Sequence, residues 1–320
     1  MGMLEFISSQ NIAGAVDLVA GGHVTTFVTD DEFLRAKEDY DAVKAAGIDI
    51  SNVEWLSKED MLSIYGVSFP GVRYGGHNLW PLKLVTHLYN FAKSKLSLSL
   101  HTSTPVNIVE RNSETTNSHR WKLHTPRGLI SCSYVVHATN AYASHLIPHL
   151  RGSVGIVPTR GQVVAVRGTS LDKLSLERPL YILGGGREVE SRFAHGEIDD
   201  SKSNEEVAQV LREFLPGLFP GKFERGMEPE MEWTGIMGFT RSRDPFVGPV
   251  GGYDASNKHS NFDGQFVAAG YSGHGMPRAF ACAEVIASML FAEFHGKIWS
   301  APKWLPHHFL TSSWADQPDA

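Results

Sequence analysis

Residues 266–291 read FVAAGYSGHGMPRAFACAEVIASMLF. The apolar run Phe266–Ala269 breaks into a turn with glycines at 270, 273 and 275, and a small-residue apolar stretch follows. Strand, glycine turn and helix is the order in which phosphate and dinucleotide sites are built. A G-x-G-x-x-G fingerprint needs its third glycine for close helix–strand packing, and an acid about 20 residues on for a ribose. Here Arg278 stands where the third glycine would be, and residues 295–320 offer no second strand and no ribose acid. The stretch is therefore not the opening of a dinucleotide-binding unit. It does make a good helix N-terminus, with Pro277 suited to the first turn. Free N–H groups and a dipole of roughly half a positive charge would face whatever rests on the turn. Taken alone, the same turn also serves as a plain link between a core strand and a core helix.

The surrounding pattern mixes helices and strands. Helix signals cover Asp30–Ala46, with Thr29 or Asp30 as N-cap and Gly47 past the end, and Ser57–Tyr65, with a capping-box-like Ser57 and Asp60 and a stop at Gly66. Leu79–Leu96 repeats apolar residues at helical spacing, and Ser203–Leu215 ends before Pro216-Gly217. The opening MLEFISSQNI reads as the last turns of an amphipathic helix. Strand signals lie at 23–29, 107–111, 121–125, 129–133, 134–140, 161–167 and 265–270, with a tight turn at 126–128. The cluster Gly184–Gly186 reads as a hairpin-like turn, since no helix pattern follows it. The fold class expected is α/β (α+β).

Composition narrows the function classes. The 320 residues leave room for about two domains. They are 42% hydrophobic and 20% charged with a net charge of -6, which gives no electrostatic footprint for nucleic acid or anionic membrane. The two cysteines, Cys132 and Cys282, have no metal-ligand spacing and suit a reducing compartment. The apolar run Ala279–Ala292 carries Glu284 and is too short to span a bilayer. No signal-peptide pattern opens the chain, and Phe6 stands where N-myristoylation needs Ser or Thr. A cytoplasmic setting is the expectation. The 15 histidines show no metal-ligand spacing, and there is no G-x-S-x-G nucleophile elbow with a triad order.

GYSGHGM (270–276) after QFVAA resembles the flavin-contacting C-terminal segment of the D-amino-acid-oxidase-like family of FAD-dependent oxidoreductases. That family includes sarcosine, glycine and gamma-glutamylputrescine oxidases. Four further stretches resemble it in the expected order: GHNLWPLKLVTHLYNFA (76–92), YVVHATNAYASHLIP (134–148), IVPTRGQVVAV (156–166) and WTGIMGFTRSRDPFVGPVG (233–251). The resemblance covers about residues 15–295. The family's N-terminal G-x-G-x-x-G unit for the ADP half of FAD, and the arginine-containing glycine loop after it, have no counterpart in this sequence.

The resemblance implies a partial FAD/NAD(P)-binding Rossmann-like domain, 77–150 with 235–295. It would be interleaved with an antiparallel-sheet substrate domain, 15–76 with 151–234, and followed by a tail, 296–320. It implies FAD as cofactor and a small amine or amino acid as substrate, oxidised at a C–N bond with oxygen as acceptor. The expected cofactor contacts are Val106, Ala138, Thr139, Asn140, Ser272, Gly273, His274, Gly275 and Met276. Arg160, Arg241, Arg243 and Tyr181 are the substrate-binding candidates, each arginine being equally readable as an ordinary ion-pair or solvated residue. His274 has a near-neutral intrinsic pKa, but the family uses backbone at this turn. The alternative expectation is an N-terminally truncated, non-catalytic form of such an enzyme that cannot hold FAD.

Overall fold

The computed structural model describes residues 2–113, 119–169, 180–219, 221–251 and 262–312. The chain divides into two compact units. One comprises Leu4–Ser99 and Phe214–Arg225; the larger comprises Met1–Met3, Leu100–Glu213 and the chain from Gly226 onward.

In the smaller unit α1 (Met3–Ser9) buries Phe6 and Ile7. It is followed by β1 (His23–Thr26), α2 (Asp30–Ala45), β2 (Glu54–Leu56), α3 (Lys58–Tyr65), β3 (Gly71–Tyr74) and α4 (Pro81–Lys95). The strands form an antiparallel sheet in the order β1-β3-β2. Local chemistry sets the helix starts. Thr29 and Glu32 form a full capping box at α2, and Ser57 and Asp60 another at α3. Because Thr29 caps α2, the strand expected over 23–29 stops at Thr26. Helix α4 starts at Pro81, two residues later than expected, since proline lacks an amide N–H and belongs in the first turn. Leu56, Met61 and Val67 form a core packed by Tyr65, Phe69, Leu218 and Phe219.

Among the described residues the larger unit holds three sheets. The first is the meander β4 (Ile108–Arg111), β5 (Trp121–Thr125) and β6 (Gly128–Cys132). Strand β7 (Val135–His137) leads through a 3-10 turn, Asn140–Tyr142, into α5 (Ala143–Leu146). Strands β8 (Val157–Arg167) and β9 (Leu180–Gly185), helix α6 (Glu205–Leu218), whose residues from Phe214 on belong to the smaller unit, and strands β10 (Met231–Phe239), β11 (Phe246–Pro249) and β12 (Gln265–Ala269) follow, and α7 (Gly275–Phe294) runs after β12. The second sheet is antiparallel, β10-β8-β9, and the third is β11-β12-β7, with β12 and β7 parallel.

Two expectations are corrected here. Gly184 and Gly185 are not a hairpin turn: they pair with Val163 and Gln162 inside β9, and a 3-10 turn, Arg187–Val189, follows. Gly186, at φ 73°, takes the left-handed conformation of a turn. Ladder pairing with β8 overrides the poor strand propensity of glycine. Helix α6 does not end before Pro216 but runs through it to Leu218, and the Phe219 amide still donates to the Leu215 carbonyl. Proline removes one ladder bond; the helix tolerates the loss there.

Strand β12 is buried along its whole length, which is why it reads as a continuous apolar run rather than an alternating one. Phe266 and Ala268 pack with Cys282, Val285, Ile286 and Met289 of α7. Val267 and Ala269 pack with Ala143, Ile147, Leu150 and Ile156. By length and composition α7 also reaches the measure of a membrane span, longer than its apolar run alone suggests; one of its faces lies in this core. Between the parallel strands, His137 donates through Nε2 to Gln265 Oε1 at 2.7 Å. Burial pushes the His137 pKa below its ordinary value, against the raising effect of Gln265.

Candidate functional site

Strands β7 and β12 run parallel with Gln265 opposite Val135 and Val267 opposite His137, so their C-terminal ends lie at one edge of the sheet. Ligands of parallel sheets bind at that edge. Ala138 and Thr139 are exposed there, just past β7. Asn140, at φ 44°, turns its side chain across to β12, where Oδ1 accepts from the amides of Gly270 at 3.0 Å and Tyr271 at 3.2 Å. Asparagine tolerates that conformation better than most side chains do.

The glycine turn is held from a second side by β10. The Ser272 amide donates to Gly238 O at 2.8 Å, and Ser272 Oγ accepts from the Thr240 amide at 3.1 Å. The approach is close: a Cβ on Gly238 would lie 3.0 Å from the Ala141 amide and from Asn140 Oδ1. Three pieces of chain remote in sequence thus fix one turn. Tyr271 and Cys282 are both buried and bonded to one another, and burial raises the pKa of each.

The turn has an unused donor face. The Ser272 and His274 amides are spent on Gly238 O and Tyr271 O. Those of Gly273, Gly275 and Met276 meet no acceptor among the described residues; Gly275 and Met276 begin α7, where no intrahelical acceptor exists. No side chain caps α7 and no acid stands in its first turn. Gly273, at φ 84°, is exposed, so a ligand edge can come down onto the backbone. His274 Nδ1 lies 3.0 Å from Ser272 O. A carbonyl only accepts, so Nδ1 carries the proton and a neutral ring presents Nε2 as an acceptor.

This donor set suits a planar group carrying negative charge, such as the edge of a flavin ring. Gly273 and His274 border a cavity of about 970 Å³. Its lining includes Arg187, Arg241 and Arg243 against a single carboxylate, Glu188, together with Phe193, His195, Met237 and Phe239. Of the four substrate candidates, Arg241 and Arg243 line this cavity; Arg160 and Tyr181 are not among its lining residues. Arg160 is instead paired with Glu190, both side chains being 11% exposed. Tyr181 lies on β9 opposite Val166. Val106 is half-buried just ahead of β4.

Sequence reading missed Arg187, Glu188, Phe193 and His195. Phe193 and His195 reach the cavity through a left-handed stretch, Arg192–Ala194, with φ of 53°, 54° and 59° and no glycine to signal it. Backbone of that kind is costly and is held only where its surroundings demand it. Among the described residues no group of three or more His, Cys, Asp or Glu is arranged to hold a metal ion.

Comparison with known proteins places the chain in a family. The chain is 25% identical to glycine oxidase of Pseudomonas aeruginosa over 171 residues, 52% of this chain and 44% of that protein, so the match spans less than half of the relative. Among solved structures it is similar in fold to glycine oxidase from Geobacillus kaustophilus, with a TM-score of 0.68 at 19% identity, covering 96% of this chain and 80% of that one. It is also similar to L-proline dehydrogenase from P. horikoshii, with a TM-score of 0.67 at 16% identity, covering 98% of this chain and 82% of that one. These structures share the mixed architecture of helices and antiparallel sheets. The family model described as FAD dependent oxidoreductase (DAO) matches residues 3–289. The chain belongs to the DAO family of FAD-dependent oxidoreductases.

Proposed function

We propose that this chain, with FAD bound, oxidises a C–N bond of an amino acid or amine, and that oxygen is the final electron acceptor. The flavin, when bound, supplies the acceptor for the hydride that leaves the substrate carbon. The observation that carries the reading is the unused donor face of the glycine turn on the rim of a cationic cavity. The amides of Gly273, Gly275 and Met276, with the N-terminus of α7 behind them, stabilise negative charge on whatever rests there. Ser272 and His274 set the shape of the turn. Ala138, Thr139 and Asn140 at the end of β7, and Val106, complete the proposed cofactor contacts. By this reading 77–150 with 235–295 serve the cofactor, and 15–76 with 151–234 serve the substrate.

The cavity's guanidiniums favour a substrate carboxylate. Phe193, Met237 and Phe239 give the cavity an apolar wall, and charge interactions strengthen beside it. A second reading is that the chain holds FAD too weakly to turn over. It is favoured by the edge of β7, which among the described residues is paired on one side only and leaves Val136 43% exposed.

The test is anaerobic addition of a panel of amino acids and amines to the FAD-loaded chain. Loss of the oxidised-flavin visible band is expected with at least one of them. FAD that stays bound and oxidised against the whole panel contradicts C–N oxidation; FAD lost on desalting selects the second reading.

A further inference from the structure

Beside the cavity lies a groove of about 440 Å³ that shares Arg187 and Met237 with it. Its floor is the outer face of the β10-β8-β9 sheet. Gly235 pairs with Gly161 across one row, and Trp233, Val163 and Gly184 form the next. The opposite face of this sheet is closed by α6, with Val164 and Leu183 against Val207 and Leu211. The groove face is open and apolar: Trp233 is 39% exposed, Ile182 61% and Met231 60%.

Glycine inside a strand costs about 0.5–1 kcal/mol relative to alanine, so a paired row of glycines needs a reason. Packing accounts for Gly161, whose added Cβ would lie 2.7 Å from Met237 Cε, but not for Gly235, where an added Cβ would meet nothing within 4 Å. Strand glycines without a packing cause mark a place where something else approaches the backbone. At the junction of groove and cavity stands Arg187. Its guanidinium lies 4.8 Å from the Phe239 ring centre, and among the described residues no carboxylate pairs with it. A guanidinium held over an aromatic face keeps its in-plane donors free.

We propose that Arg187 binds the carboxylate of an amino-acid substrate and that the glycine-paved groove takes its unbranched apolar tail along Trp233. The inference deepens the oxidase reading: it rests on that reading only for calling the ligand a substrate, and it sets the substrate class as amino acids with long straight side chains.

Binding is measured by titration calorimetry on the full chain without flavin, using acetate and hexanoate as probes. Each buried methylene contributes up to about 0.8 kcal/mol, so hexanoate is expected to bind at least tenfold more tightly than acetate. Arg187→Gln is expected to weaken hexanoate at least tenfold, and Gly235→Leu, which fills the groove, to abolish the advantage of hexanoate over acetate. Unchanged thermal unfolding of the two variants shows that the fold is kept. Equal affinities for the two probes, or hexanoate binding unaffected by Arg187→Gln, would overturn the proposal. Since no turnover is read, an enzyme that fails to oxidise amines leaves this result intact, and the two ideas fail separately.

Discussion

Replacing Asn140 with alanine is expected to destabilise the larger unit by about 2–6 kcal/mol and to loosen the cofactor turn with it. Asn140 Oδ1 accepts from two amides, those of Gly270 and Tyr271, and both residues are buried. Without it two buried N–H groups lose their acceptor, each costing about 1–3 kcal/mol. Alanine at φ 44° adds backbone strain that asparagine tolerates. Urea unfolding of the chain measures the loss. Asn140→Asp keeps an acceptor in place and is expected to retain most of the stability. An alanine variant as stable as the parent would show that the Asn140 link contributes nothing.

The second large effect is expected at Gly270. Its φ is 84°, and an added Cβ would lie 2.6 Å from Thr240 Cγ2 and 3.3 Å from Ile156 Cγ1. Thr240 has no freedom to move aside: it is buried, its Oγ1 donates to Asp244 O at 2.8 Å, and its amide is bound by Ser272 Oγ. Gly270→Ala therefore combines left-handed strain of about 1–2 kcal/mol with overpacking of about 1–3 kcal/mol. A fall in unfolding free energy of about 2–5 kcal/mol is expected, with loss of any flavin the turn holds. Gly273→Ala is the informative contrast. Its φ is also 84°, but its Cβ would meet only Met237 Sδ, at 3.8 Å, so the strain remains without the clash. Equal stability of the Gly270→Ala variant and the parent would contradict the packing described for the turn.

The parts of this fold that were legible in the sequence are those fixed by neighbouring residues. The capping boxes at Thr29 and Ser57 declare themselves within four residues, and so does the strand–turn–helix at 265–294. The β4-β5-β6 meander is equally local. What failed to show is decided at long range. Strand β9 looked like a turn because its glycines give no strand signal; only pairing with β8 makes it one. Asn140 could be named as a site residue, but its bond to a turn 130 residues away could not. Arg160 and Arg241 look alike as sequence. The fold buries one against Glu190 and sets the other on the cavity wall, since burial and partner are properties of the assembled sheet. Arg187 carried no signal, because its place depends on Gly186 ending β9 and on Phe239 arriving from β10.

The proposed function requires that the turn from Ser272 to Met276 hold a flavin. The most direct measurement is the visible spectrum of the purified chain after incubation with FAD and desalting. Oxidised-flavin bands are expected to stay with the protein, and Asn140→Ala and Gly270→Ala to reduce them while Gly235→Leu does not. A colourless parent chain after the same treatment would contradict it.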